Sequence, residues 1–290
     1  MAGAQMASEQ QPLGSIGFLR AARAAAWLEY KGLRVYPSNL WLAAAQELST
    51  IGVWYFVARF LSSAANGAVA QYGGNYVAYV LVGVLLNQMA MASLRSPFNT
   101  ISEAFWDKRL ETYRLAVQGI WANIVGRLAW QVLFSTLLQA VAAAVVVGLG
   151  GIHLAHGFFW PDALAIWLLL VLANAGLGLM GASLIFLLEV KNGQDPVTWT
   201  YQYLVQIVSG LYVPLSVLPG WLQGLGRVVP QTYAFSAMRL LVLTGSAGRS
   251  VSGAMTGLLL GAAAAVIIGG LMMRWALIRA ERLSGLGVVV

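Results

Sequence analysis

Long apolar runs alternate along this chain with short polar or charged ones, a rhythm that suits helices crossing a bilayer better than a water-soluble core. Such runs cover 40–61, 76–94, 120–149, 163–188, 197–213 and 251–278. They run from 17 to 30 residues, against the ~20 that one crossing needs. They predict an all-α polytopic membrane protein of about six transmembrane helices, within a transmembrane domain over 37–283. Ahead of it, residues 1–15 form a polar tail and 16–36 carry a different period. At ~100° per residue, Arg20, Arg23, Trp27, Lys31 and Arg34 share one face of a helix, with Phe18, Ala22, Ala25, Ala26, Leu33 and Tyr36 on the other. This reads as an amphipathic helix lying in the membrane interface, its basic face toward lipid head groups or a protein partner. Glu29 sits in the middle of the apolar face, where a lone carboxylate either contacts another helix or subunit or snorkels out.

Polar interruptions within the apolar runs mark candidate sites. Glu47 lies inside the first run, and an intramembrane carboxylate faces a cavity or the bundle interior by default, as a pathway residue or a structural ion-pair partner. Asn87 and Gln88 are the polar positions of the second run. The fifth is unusually polar, with Tyr201, Gln202, Tyr203, Gln206, Ser209 and Tyr212. Asn87, Tyr201, Tyr203, Gln206 and Tyr212 join Glu47 as candidate pathway residues. Arg127, near one end of the third run, is expected to snorkel rather than bind a substrate.

Between the second and third runs the chain is at its most charged. Pro97 and the capping-box pattern Thr100-Ile101-Ser102-Glu103 predict a fresh helix over 101–115. Trp106, Leu110, Tyr113 and Val117 would form an apolar stripe on it, ringed by Glu103, Asp107, Lys108, Arg109, Glu111 and Arg114. Mixed charge around an aromatic stripe suits docking of a partner; a solvated connector is the plainer alternative. A tight turn around Lys191 lies between the fourth and fifth runs.

The stretch 214–245 is too apolar for an aqueous loop and too broken for one helix. Pro214, Pro219 and Pro230 interrupt it, while Leu218, Trp221, Leu222 and Leu225 favour leaving water. Two short helices joined near Gly224 and Gly226, dipping into the membrane from outside and returning, would satisfy both demands. A loop lying on the membrane surface is the alternative.

Composition supports the membrane reading and removes several classes of chemistry. Hydrophobic residues make up 59% of the 290 and charged ones 9%, with a mean hydropathy of +0.74. A soluble domain carries ~25% charged residues. The formal net charge of +7 fits anchoring to anionic lipid on the cytosolic side, and nucleic acid is not implied. Most basic residues fall on one side of the expected topology, which places both termini in the cytosol. Cysteine is absent, so disulfides and thiolate metal sites are excluded. His153 and His156 give only a weak metal signal, and no metal site is expected. Gly176-Leu177-Gly178-Leu179-Met180-Gly181 matches a dinucleotide fingerprint as text, but inside an apolar run its glycines suit close helix packing. No G-x-x-x-x-G-K-[ST] loop occurs, so the chain is not expected to hydrolyse nucleotide itself, and no cofactor is expected on it.

The order of elements resembles the membrane subunit of ABC exporters of the type-two family, which move drugs, polysaccharides and lipids. The resemblance covers roughly 16–282 and is most specific over 210–245, through Pro214, Leu218-Pro219, Pro230, Thr232, Arg239 and Gly245. It implies a permease working as a homodimer or close heterodimer with a separate ABC ATPase that holds ATP and Mg. By the same resemblance 101–115 is the coupling helix, the Lys191 turn a second ATPase contact, 20–34 the interface helix, and 214–245 an outer gate including Arg239. The expected substrate is hydrophobic or amphipathic. An ATP-independent channel or secondary transporter, and a structural assembly subunit, are the competing classes.

Overall fold

The computed structural model describes residues 15–107, 119–148, 159–188, 196–245 and 249–284. Among these the chain is helical, without a strand. The helices are α1 (Ser15–Val35), α2 (Ser38–Ala65), α3 (Tyr76–Trp106), α4 (Gly119–Gly148), α5 (Trp160–Leu188), α6 (Pro196–Val208), α7 (Gly220–Val228), α8 (Pro230–Arg239) and α9 (Arg249–Ser284). Of these, α3, α4, α5 and α9 are long and apolar enough to cross a bilayer. The protein is therefore an all-helical membrane protein.

The other two expected spans differ from that pattern for separate reasons. At 28 residues α2 is long enough, but Gln46, Glu47, Ser49, Thr50 and Arg59 lower its hydropathy. By contrast α6 has 13 residues, about 20 Å at ~1.5 Å per residue, and falls short of a ~30 Å hydrocarbon core. The helix expected to run to Val213 ends at Val208, and the backbone turns at Gly210, whose φ is +78°.

The centre of the bundle is α3. Every residue from Ala78 to Asn87 is buried, as a helix surrounded by other helices requires. The expected break at Pro97 does not occur, and α3 runs without interruption from Tyr76 to Trp106. The capping-box signal fails for a visible reason. Thr100 Oγ1 donates back to the Ser96 carbonyl at 2.8 Å, the bond of a helix interior. Glu103 is committed to an ion pair instead of the Thr100 N–H. Proline inside a membrane helix is tolerated when neighbours support the backbone, and α5 packs directly behind this one. A Cβ at Gly178 would come within 2.2 Å of the Leu94 carbonyl oxygen and 3.2 Å of Pro97 Cδ. Gly176 and Gly269 bring α5 and α9 together similarly, since a Cβ at Gly269 would lie 2.1 Å from the Gly176 oxygen. These contacts account for the glycine run of α5 as helix packing.

Two short helices do follow the break, but they meet at Val229, and Gly224 and Gly226 lie within α7. Val229 precedes Pro230 and adopts φ −82°, ψ 118°, the extended region to which a following proline confines it.

Candidate functional site

A polar cleft of about 520 Å³ opens among α2, α3 and α4, with α1 and α6 at its edge. Its lining follows helical periodicity. On α4, Arg127, Gln131, Ser135 and Gln139 repeat every four residues and face it together. From α2 come Gln46, Glu47 and Thr50, and from α3 the stripe Gln88, Arg95, Asn99 and Glu103. Along α3 the lining runs from Gln88 to Glu103, 15 residues apart, about 22 Å at ~1.5 Å per residue.

The two ends of the cleft differ in chemistry. At one end Arg127 bridges two carboxylates, its Nε 2.6 Å from Glu29 Oε1 and its NH2 2.6 Å from Glu103 Oε2. This ties α1, α3 and α4 together. Gly126 makes the approach of α1 feasible, since a Cβ there would lie 2.1 Å from the Ala22 carbonyl oxygen. The carboxylate on the apolar face of α1 is thus paired, and Arg127 bridges instead of snorkelling. Farther along the cleft, Arg95 donates to Gln202 of α6.

At the other end Gln88 Nε2 donates to Glu47 Oε2 at 3.2 Å. Glu47 Oε1 and Gln139 Oε1 are buried with no hydrogen-bond partner. Beyond Gln88 the polar lining stops, because α3 from Ala78 to Asn87 is closed on all sides.

The remaining pathway candidates lie elsewhere. Tyr201 donates to Gln231, whose Nε2 donates to Asn174 Oδ1 at 2.5 Å, a buried chain that locks α6, α8 and α5 together. Tyr203 projects outward, more than half exposed. Gln206 is half-buried and outside the cleft lining. The Tyr212 ring stacks on Trp54 with centroids 3.8 Å apart. Asn87 is buried in α3, its Oδ1 without a partner. Of the pathway candidates named from sequence, only Glu47 lines the cleft.

Among the docking candidates, Glu103 belongs to the Arg127 bridge. Trp106 is half-exposed at the end of α3, and Asp107 follows as its C-cap. Lys108, Arg109, Glu111, Tyr113, Arg114 and Lys191 lie outside the described residues. On α1, Arg20, Arg23, Trp27, Lys31 and Arg34 are exposed, while Ala22 and Ala25 are buried. The apolar face of α1 therefore packs on the bundle.

The expected gate region is anchored by Arg239. This side chain is 1% exposed and donates to three carbonyls: Tyr79 at 2.9 Å, Gly210 at 2.8 Å and Leu211 at 2.7 Å. Its guanidinium also sits 3.5 Å from the centre of the Tyr79 ring. Breaking the chain after α6 strips the 210–211 carbonyls of helical donors, and Arg239 replaces them. The Tyr79 hydroxyl adds a 2.6 Å bond to Gly210 O. Pro214 and Pro230 are buried, Leu218 and Leu222 half-buried, and Pro219 and Trp221 exposed.

Sequence reasoning missed the cleft as a unit. The signal was present in the four-residue spacing of Arg127, Gln131, Ser135 and Gln139, a polar stripe on an otherwise apolar helix. No protein-family model matches the chain, and no characterised protein matches it in sequence.

Proposed function

We propose that this chain is the permease subunit of an ATP-driven ABC exporter in a cell inner (plasma) membrane, moving a hydrophobic or amphipathic molecule outward. The observation that carries the reading is the one-ended polar cleft in an apolar bundle: lined from Glu103 to Gln88, closed beyond it. A substrate pathway caught open to one side has this form, and a purely structural subunit has no use for it. In this reading α2 and α6 join α3, α4, α5 and α9 as six spans, both termini and Glu103 face the cytosol, and α7 and α8 form an outer re-entrant gate. A separate ABC ATPase supplies ATP hydrolysis with Mg and docks at the end of α3. A second copy or close paralogue completes the transporter.

The rival is an ATP-independent channel or secondary transporter, and one observation favours it: the Glu47 carboxylate has no cationic partner among the described residues and would suit a coupling proton. Co-reconstitution with a candidate ATPase separates the two. Replacing Asp107 and Arg109 together by alanine is expected to weaken co-purification or uncouple hydrolysis from transport. Transport that proceeds without ATP, or a double variant indistinguishable from wild type in all three measurements, sinks the exporter reading.

A further inference from the structure

We infer that the closed end of the cleft is a binding subsite for a protonated amine, with Glu47 and Gln139 as its acceptors. The inference deepens the exporter reading by naming a substrate class, and rests on that reading for its meaning as a transport site.

The two acceptors share one depth. Because Arg127 meets Glu103 at 2.6 Å, positions along α3 and α4 can be measured from that contact. Gln88 lies 15 residues from Glu103, and Gln139 lies 12 residues from Arg127. Their heights therefore differ by about 4.5 Å, less than one helical turn. Glu47 is at the height of Gln88, which donates to it.

Both acceptors are more than nine-tenths buried, Glu47 at 8% and Gln139 at 4% exposure. Both line the cleft, and the Oε1 atom of each lacks a donor. Native interiors rarely leave such atoms unmet, so their pairing is a request for a donor. Among the described residues Gln88 donates to Glu47, through a neutral amide. A carboxylate and a second free acceptor at a similar depth of one cleft suit a cation that carries several N–H groups, which an ammonium does.

Size and walls favour an organic cation over an inorganic one. The cleft as a whole, about 520 Å³ from the Arg127 bridge to Gln139, falls within the range of small-molecule pockets and leaves room for the rest of an organic cation whose ammonium sits at the closed end. Met91, Phe134 and Leu138 supply apolar surface beside the polar stripe. Among the described residues no three histidine or acidic side chains cluster to hold a metal. The carboxylates at the other end, Glu29 and Glu103, are already engaged by Arg127, so the negative charge available to a ligand is that of Glu47; the cleft's other cation, Arg95, donates to Gln202 and lies about 10 Å along α3 from Gln88.

The test uses the purified full chain in detergent, without ATPase or ATP, titrated at pH 7 with monodansylcadaverine, a fluorescent primary amine, and with its uncharged N-acetyl derivative. The amine is expected to bind saturably and at least tenfold more tightly than the acetylated probe. Glu47→Gln keeps size and removes charge; it is expected to weaken amine binding at least tenfold and to leave the acetylated probe unchanged. Equal affinity for the two probes, absence of saturable amine binding, or an unaltered amine affinity in Glu47→Gln overturns the inference. The wild-type comparison stands even if the variant fails to fold. Failure here leaves ATP-driven export untouched, whereas amine binding without ATP-dependent transport sinks the exporter reading alone.

Discussion

Arg239→Met should destabilise the protein by removing the donors that hold the break after α6. Methionine fills most of the arginine stem and removes charge and hydrogen bonds, so the change isolates the polar contribution. Three carbonyls lose a donor, but not equally. Tyr79 O lies within α3, and Gly210 O keeps the Tyr79 hydroxyl at 2.6 Å. Leu211 O loses its Arg239 partner, at 2.7 Å in the native protein. One orphaned buried carbonyl costs about 1–3 kcal/mol, and losing a charge-assisted bond at Gly210 adds about 1–2 kcal/mol. Against this stands the cost of burying the guanidinium itself, which methionine relieves, and replacement of buried charge by apolar groups can be neutral or better. The expected balance is a net loss of about 2 kcal/mol, a fall of roughly 4–8 °C in Tm by the scaling of large soluble domains. Thermal unfolding in detergent measures the total. Hydrogen exchange locates it, since protection should fall at 209–213 and stay unchanged in α5 and α9. Wild-type Tm together with wild-type exchange at 209–213 would refute the claim that this backbone depends on Arg239.

Three further outcomes follow from the packing. Gly269→Ala should cost about 1–3 kcal/mol, because its Cβ would meet the Gly176 backbone at 2.1 Å. Its neighbour Gly270, with nothing within 4 Å, should accept alanine without loss, and equal Tm values for the two variants would discredit the α5–α9 contact. Arg127→Gln leaves Glu29 and Glu103 facing each other without a cation; because both are partly exposed, a loss of about 1 kcal/mol is expected, and no change in Tm would mean the bridge adds nothing to stability. In the absence of native cysteine, Trp221→Cys should react readily with an impermeant thiol reagent added outside and Leu222→Cys slowly, with rates that shift when ATPase and ATP are supplied; labelling only from the cytosolic side would invert the proposed topology.

How far the sequence carried depends on whether the signal was local or relational. Apolar runs gave α3, α4, α5 and α9 directly, since length and hydropathy belong to each segment alone. The proline pattern of 214–245 likewise foretold two short helices, and only the joint was misplaced, at Gly224–Gly226 instead of Val229. The Pro97 start signal misled because it is a weak local preference, and Ser96, Pro97, Phe98, Thr100 and Ile101 are buried in the bundle there. Glu29 and Arg127 are the clearest relational case. Each looked solitary on its own helix, and their pairing depends on Gly126 admitting α1, a contact across about 100 residues that no periodicity encodes. Tyr201 failed in the opposite sense. Its polarity suggested a pathway, but its hydroxyl is used by Gln231 within the bundle.

The Arg239-anchored break and the polar cleft meet on one helix. Toward its beginning α3 offers Tyr79 to Arg239, and toward its end it lines the cleft down to Glu103. These points are 24 residues apart, about 36 Å along the axis. Pro97 stands between them and leaves the Ser93 carbonyl without its helical donor, the usual place for a long helix to flex. Here the flexure is braced, because Gly178 sets the backbone of α5 against Leu94 and Pro97 so closely that even one added carbon would collide. Bending α3 at Pro97 away from α5 would open an unfilled gap, and bending it toward α5 is sterically barred. A displacement imposed at the Glu103 end must therefore move α3 and α5 together. Because α5 also grips α9 through Gly176 and Gly269, and Asn174 on the same helix receives Gln231 of α8, α5 is tied in turn to the helix whose last residue is Arg239.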